Sequence, residues 1–189
     1  MNKVSWITVI PPEEAEGTLK DVYAILQKQR GKVSNIMSVQ SLNPEAMAAH
    51  LDLYVALMFR KGGLRRPERE MIAVVVSAAN ECEYCVAHHA AALNFYWKDR
   101  EKLEAFIRDF RSVDLSDRER AMLEYTDFLT RNPGSISEAQ VKRLRDVGFT
   151  DADILNIAMI TGYFNFVNRI ANGLGVAFSE DEVGGYKYE

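Results

Sequence analysis

Apolar side chains recur three and four residues apart along most of this chain, the spacing of a helix with one buried face. The first such segment is predicted over Glu13 to Arg30, with Leu19, Val22, Tyr23, Ile25 and Leu26 at helical spacing. Pro11 and Pro12 open it and Gly31 stops it. Ser34 is placed to cap a short segment running to Ser41. Asn43-Pro44 reads as an N-cap followed by a first-turn proline, starting a strong helix that runs up to Gly62-Gly63. Another begins at Arg66-Pro67 and continues through Ala79. It is apolar almost all round and is therefore expected to be buried. After a break at Asn80-Glu81, Cys82 to Trp97 forms the next helix, with both cysteines in its first turns. Further helices are expected at Asp99 to Phe110, Ser116 to Thr130, Ser137 to Val147 and Thr150 to about Ala171.

No alternation of period two persists beyond a few residues, so residues 1–12 are read as an extended arm. The acidic, glycine-rich end, 179–189, is read as a tail. The expectation is one all-α domain over residues 1–189. An internal echo runs through it: Leu64 to Ile72 aligns with Leu115 to Leu123, with Glu-Arg at the same two places. Two similar capping signals would explain this, and so would a duplicated helical unit. In the second copy Ala121 stands where the first has Glu70, and no cysteine follows.

Composition narrows the function classes. An apolar share of 48% in 189 residues supports a sizeable core and argues against disorder. With 23 Lys+Arg against 27 Asp+Glu, the net charge of −4 gives no electrostatic reason to expect nucleic acid or an anionic membrane. The longest apolar runs stop short of the ~18 residues a membrane helix needs, and no small-residue cleavage site follows the N-terminal apolar stretch. A cytoplasmic, reducing location is the expectation. The two cysteines, Cys82 and Cys85, are too few and too close to staple a fold, so their reason for being there is chemical.

The chemistry concentrates in Glu70-x11-Cys82-x2-Cys85-x3-His89. On a helix Cys82, Cys85 and His89 share a face at spacings of three and four. A helix N-terminus favours a thiolate at Cys82, and His89 is a candidate base one turn from Cys85. A thiolate with a second thiol beside it suits dithiol–disulfide cycling. Along one straight helix Glu70 would lie roughly 28 Å from His89. A reversal at Asn80-Glu81 returns it to within a turn, where it can orient the imidazole. A carboxylate in so apolar a helix also needs a partner.

Other readings of these residues are open: two buried inert thiols, or a zinc site from Cys82, Cys85, His88 and His89. Zinc is awkward because adjacent histidines point about 100° apart on a helix. Haem attachment of the c type needs histidine where Val86 stands. His88 is assigned to surface or core packing, and His50, with no evident partner, to a structural role. Tyr54, Leu57 and Met58, with Phe95, Tyr96 and Trp97, are read as core in preference to pocket or interface. Tyr163, Asn165, Asn168 and Arg169 form a polar-aromatic cluster able to face the thiols or to hold a subunit contact.

With AVVVSAANECEYCVAHHAAAL around it, this pattern resembles the alkylhydroperoxidase D (AhpD)-like, carboxymuconolactone decarboxylase superfamily, in its peroxidase-related branch. KVSNIMSVQSLNPEAMAAHLDLYVALMF upstream and GYFNFVNRIANGLGV downstream extend the resemblance over most of the chain. It implies a helical fold built around a hairpin, assembly into a homo-oligomer (dimer, trimer or hexamer), and a thiol-dependent hydroperoxide reductase without metal, flavin or haem. It implies Cys85 as the peroxidatic sulfur that becomes sulfenic acid, Cys82 as proton donor and resolving thiol, and Glu70 and His89 as proton relay. An external dithiol would restore the pair. Tyr84 stands where the best-known members have a histidine, which leaves the electron donor open. The rivals are a lactone decarboxylase of the same superfamily, a dithiol sensor or binding oligomer that does not turn over, and a protein disulfide oxidoreductase.

Overall fold

The computed structural model describes residues 3–186, and every regular element among them is helical. The helices are α1 Gly17–Arg30, α2 Asn35–Ser38, α3 Pro44–Met58, α4 Arg66–Ala79 and α5 Glu83–Trp97. They continue with α6 Arg100–Arg108, α7 Asp117–Arg131, α8 Glu138–Asp146, α9 Asp151–Leu174 and α10 Glu180–Val183. Short 3₁₀ turns lie at Pro12–Glu14, Phe110–Ser112 and Pro133–Ser135.

Helix α4 is the centre. Its apolar composition leaves it no wet face, and Met71 through Ser77 are all buried. The bundle closes around it: α5 returns along one side, α7 and α9 pack on others, and α6 and α8 form an outer layer. A second, smaller core joins α1 to α3 through Leu19, Val22, Tyr23, Leu26, Met47 and Leu51. Arg69, buried among apolar neighbours, donates to the backbone carbonyls of Leu57 and Leu64 and so fixes the turn from α3 into α4.

The aligned segments are the starts of α4 and α7, which pack together. Glu68 and Glu119 each accept a hydrogen bond from the backbone N–H three residues before them. Each also pairs across the contact, Glu68 with Arg118, and Glu119 with Arg65 at 3.2 Å. Glu70 and Ala121 occupy equivalent buried places, so only one of the two segments carries a carboxylate inward.

Several boundaries differ from the sequence reading for local reasons. The first segment breaks before Gly17 because Ala15 is extended and turns its methyl into the small core. Cys82 is the N-cap of α5 and not part of its first turn. Helix α9 runs beyond Ala171 to Leu174, because Asn172 donates to the Asn80 carbonyl and the helix ends on Gly175 in the left-handed region, φ +58°. The Trp6 ring lies against Gly175 where a Cβ would stand, and the Trp6 N–H donates to the Leu174 carbonyl. The arm, described from residue 3, is thereby pinned. The end of the chain is not a free tail as far as it is described. Helix α10 packs on α5, Lys32 donates to the Asp181 and Gly184 carbonyls at 2.7 Å each, and Asn35 donates to the Ala177 carbonyl. Residues 1–2 of the arm and 187–189 of the end lie outside the described residues.

Candidate active site

The reversal between α4 and α5 takes three residues. Asn80 closes α4, Glu81 adopts a left-handed φ of +52°, and the Cys82 N–H donates to the Ser77 carbonyl at 2.8 Å. Asn80 then donates to the side-chain oxygens of Asn165 and Asn168 on α9, both at 3.0 Å. An asparagine network thus ties the hairpin turn to a third helix.

The hairpin returns Glu70 to His89. Glu70 Oε2 lies 2.7 Å from His89 Nδ1, while Oε1 accepts from Arg66 Nε at 2.8 Å and Nη2 at 2.5 Å. Glu70 is fully buried. Burial alone would raise its pKa, but His89 and then Arg66 outweigh it and hold the carboxyl below the ordinary range. An ionised carboxylate only accepts, so His89 Nδ1 carries the hydrogen and, in the neutral ring, Nε2 holds the lone pair. Arg66 was not singled out from the sequence, although its place four residues before Glu70 is a visible signal.

The thiols are buried side by side. Cys82 is covered completely and Cys85 is 2% exposed. The Cys82 sulfur accepts hydrogen bonds from the Cys85 thiol, the Cys85 backbone N–H and Asn168. Together these draw its pKa down, against the effect of burial. Cys85 is pushed well above the usual thiol value, first by donating to Cys82, then by burial and by the charge on Cys82, with Asn168 and Ser77 opposing. Cys82, at the helix N-terminus, is therefore the more acidic thiol of the pair, and Cys85 is the donor in their shared hydrogen bond. Asn168, which also donates to Ser77 at 3.1 Å, contacts the thiols; Arg169 is exposed and bonded to Asn165, away from them.

Cys85 and His89 line a small cavity of about 90 Å³. Its walls bring together residues distant in sequence. Tyr54 lines it, whereas Leu57 and Met58 of the same stripe are core. Tyr163 lines it too, bonded to His50 at 2.6 Å, and the other His50 nitrogen meets Gln40 at 2.8 Å. Burial lowers the His50 pKa to about 4, so the ring is neutral and accepts from the tyrosine. The expectation that His50 lacks a partner is therefore corrected. His88 also lines the cavity, stacked on Tyr84, where surface or core packing was expected; its Nε2 is 2.5 Å from Glu182 Oε2. All three histidines of the chain meet at one cavity, because α3 and α5 both face it. Among the described residues, no group of three or more His, Cys, Asp or Glu side chains is arranged to hold a metal ion.

The carboxymuconolactone decarboxylase family model matches residues 44–128, the stretch that carries Glu70, both cysteines and His89. A peroxidase-related protein from Ralstonia eutropha JMP134, described as an alkylhydroperoxidase AhpD core, is 32% identical over 97% of this chain and 96% of its own, with a TM-score of 0.88. This chain belongs to the AhpD-like, carboxymuconolactone decarboxylase superfamily. A second peroxidase-related protein, from Silicibacter sp. TM1040, is 32% identical over 100% of this chain and 97% of its own, with a TM-score of 0.86. The debrominase Bmp8, in complex with 2,3,4-tribromopyrrole, shares the fold at 19% identity over 94% of this chain and 95% of its own, with a TM-score of 0.76. The AhpD-like fold expected from the motif is the observed one. Among the described residues no helix is long and apolar enough to cross a membrane.

Proposed function

We propose that this protein is a thiol-dependent hydroperoxide reductase that cycles Cys82 and Cys85 between dithiol and disulfide. The observation that carries the reading is the division of labour in the pair. Cys85 opens onto the cavity beside His89, and Cys82 sits behind it as the more acidic, hydrogen-bonded thiol. Access makes Cys85 the attacking sulfur, although it is the less acidic of the two.

The steps balance along contacts already present. Cys82, the more acidic thiol, loses its proton to solvent, and the Cys85 proton then passes to Cys82 along their hydrogen bond, giving a Cys85 thiolate and a Cys82 thiol. The Cys85 sulfur attacks the terminal oxygen of a hydroperoxide and the O–O bond breaks. The leaving alkoxide takes the Cys82 proton and departs as alcohol, or as water from hydrogen peroxide. Cys82 thiolate then attacks the Cys85 sulfenic acid, forming the disulfide and expelling hydroxide, which leaves as water on taking a proton that solvent delivers through His89, the ring being held by Glu70 while it carries that proton. An external dithiol returns two electrons and restores the pair. The sequence of steps calls on no metal, flavin or haem, and the names of the AhpD-related relatives support it.

The test is steady-state consumption of hydrogen peroxide and organic hydroperoxides with lipoyl, thioredoxin or glutathione donors. Turnover beyond one equivalent per cysteine pair is expected, and is lost in Cys85→Ser. Full turnover by Cys85→Ser overturns the scheme, and a stop at one equivalent makes the protein a sensor. The aromatic lining of the cavity by Tyr54, Tyr163 and Phe164 favours one second reading, reductive removal of bromine from a halogenated heteroaromatic, the substrate type bound to the fold neighbour. Bromide release from 2,3,4-tribromopyrrole in the same assay separates the two.

A further inference from the structure

The buried thiols pose a problem of access. Cys82 and Cys85 are closed off from solvent, yet a disulfide that cycles must be met by a reductant far larger than a 90 Å³ cavity. Part of the cover is supplied by the end of the chain, about 100 residues further along the sequence. Tyr186 lines the cavity wall, and its ring lies 5.8 Å from that of His88. Phe178 meets the same imidazole edge-on at 6.5 Å.

What fastens this segment is polar and converges on one carboxylate. Glu182 Oε1 accepts from the Asn35 N–H at 3.0 Å, from Tyr84 Oη at 3.0 Å and from Tyr186 Oη at 3.2 Å. Glu182 Oε2 lies 2.5 Å from His88 Nε2. Lys32 holds the Asp181 carbonyl within α10 and the carbonyl of its C-cap Gly184, and lies 4.5 Å over the Tyr186 ring. None of residues 177–186 belongs to the deeply buried apolar cores, so the strap can leave without dismantling them.

We infer that residues 177–186 form a strap that sets the size of molecule able to reach Cys85, latched by Glu182 and walled by Tyr186. Closed, it admits a small hydroperoxide and keeps bulky thiols out. Released, it opens the Cys85 side of the pair to a large dithiol. The roles of peroxide and dithiol rest on the function proposed above, whereas the control of access to Cys85 is read from the geometry alone.

The test therefore measures access and not turnover. The reduced full-length protein is alkylated with iodoacetamide or with fluorescein-5-maleimide, and Cys85 labelling is followed by mass spectrometry. In Glu182→Ala and Tyr186→Ala the bulky reagent is expected to react about tenfold faster, as the open population rises, while the rate with iodoacetamide changes far less. A chain ended after Phe178 is expected to match them if it keeps the helical circular-dichroism spectrum. The inference is overturned if the ratio of bulky to small labelling is unchanged in the two folded point variants, or if both reagents accelerate equally. Loss of hydroperoxide turnover in every protein, with the labelling ratio still shifted, would overturn the proposed reaction and leave the strap in place.

Discussion

At the scale of single residues, the ionisation of Glu70 rests on His89 and, after it, on Arg66. Both guanidinium contacts fall on one carboxylate oxygen and leave the other for His89, so Arg66 neutralises the charge without competing for the imidazole. Arg66→Ala is expected to cost about 3 kcal/mol in urea unfolding, because a carboxylate is left in an apolar helix with half its partners. The double variant Arg66→Met with Glu70→Gln should recover much of that loss, since it removes both charges together. Arg66 and its signal were readable in the sequence, four residues before Glu70. The role of His50 was not, because Gln40 and Tyr163 reach it from different parts of the chain.

At the scale of elements, the hairpin of α4 and α5 makes the site, and Glu81 is its strained point. A non-glycine residue at φ +52° carries a cost of roughly 1 kcal/mol that glycine avoids. Glu81 is exposed, and its backbone N–H donates to the Ala78 carbonyl, a bond that glycine would keep. Glu81→Gly is accordingly expected to raise the melting temperature by about 3 °C in a calorimetric scan. A fall would mean that the glutamate side chain supports the turn. The position of the reversal was legible from Asn80-Glu81 between two apolar runs. The N-cap status of Cys82 was not, since it follows from the hydrogen bond back to Ser77.

At the scale of the whole molecule, the cavity gathers walls from the small α1–α3 core, from α5, from α9 and from the strap. His50 bridges two of these bodies, and its neutral state is enforced by burial, with a pKa of about 4 against 6.5 for a free imidazole. The unfolded chain takes up a proton below pH 6.5 that the folded chain refuses. This contribution is therefore complete above pH 6.5 and lost progressively as the pH falls toward 4. The expected slope is about 1.4 kcal/mol per pH unit at most, and about 3 kcal/mol in all. The paired carboxylates Glu70, Asp127 and Glu182, all held low, add their own loss only at lower pH. Urea unfolding between pH 7 and pH 5 checks this: the wild type should weaken, and His50→Gln should flatten the curve.

The amino-acid sequence by itself determined the helical class, the hairpin and the dithiol with its carboxylate and imidazole. Those features are local: helical period, capping residues and spacings of three, four and eleven along two adjacent helices. Only the tertiary structure decided that Asn168 of α9 joins the thiols and that Cys85 is the one that opens onto the cavity, because both depend on helices far apart in sequence. It also turned an apparent acidic tail into a strap. Glu182 has no periodic partner in sequence, and its meaning comes from His88, Tyr84 and Asn35 meeting it across the fold.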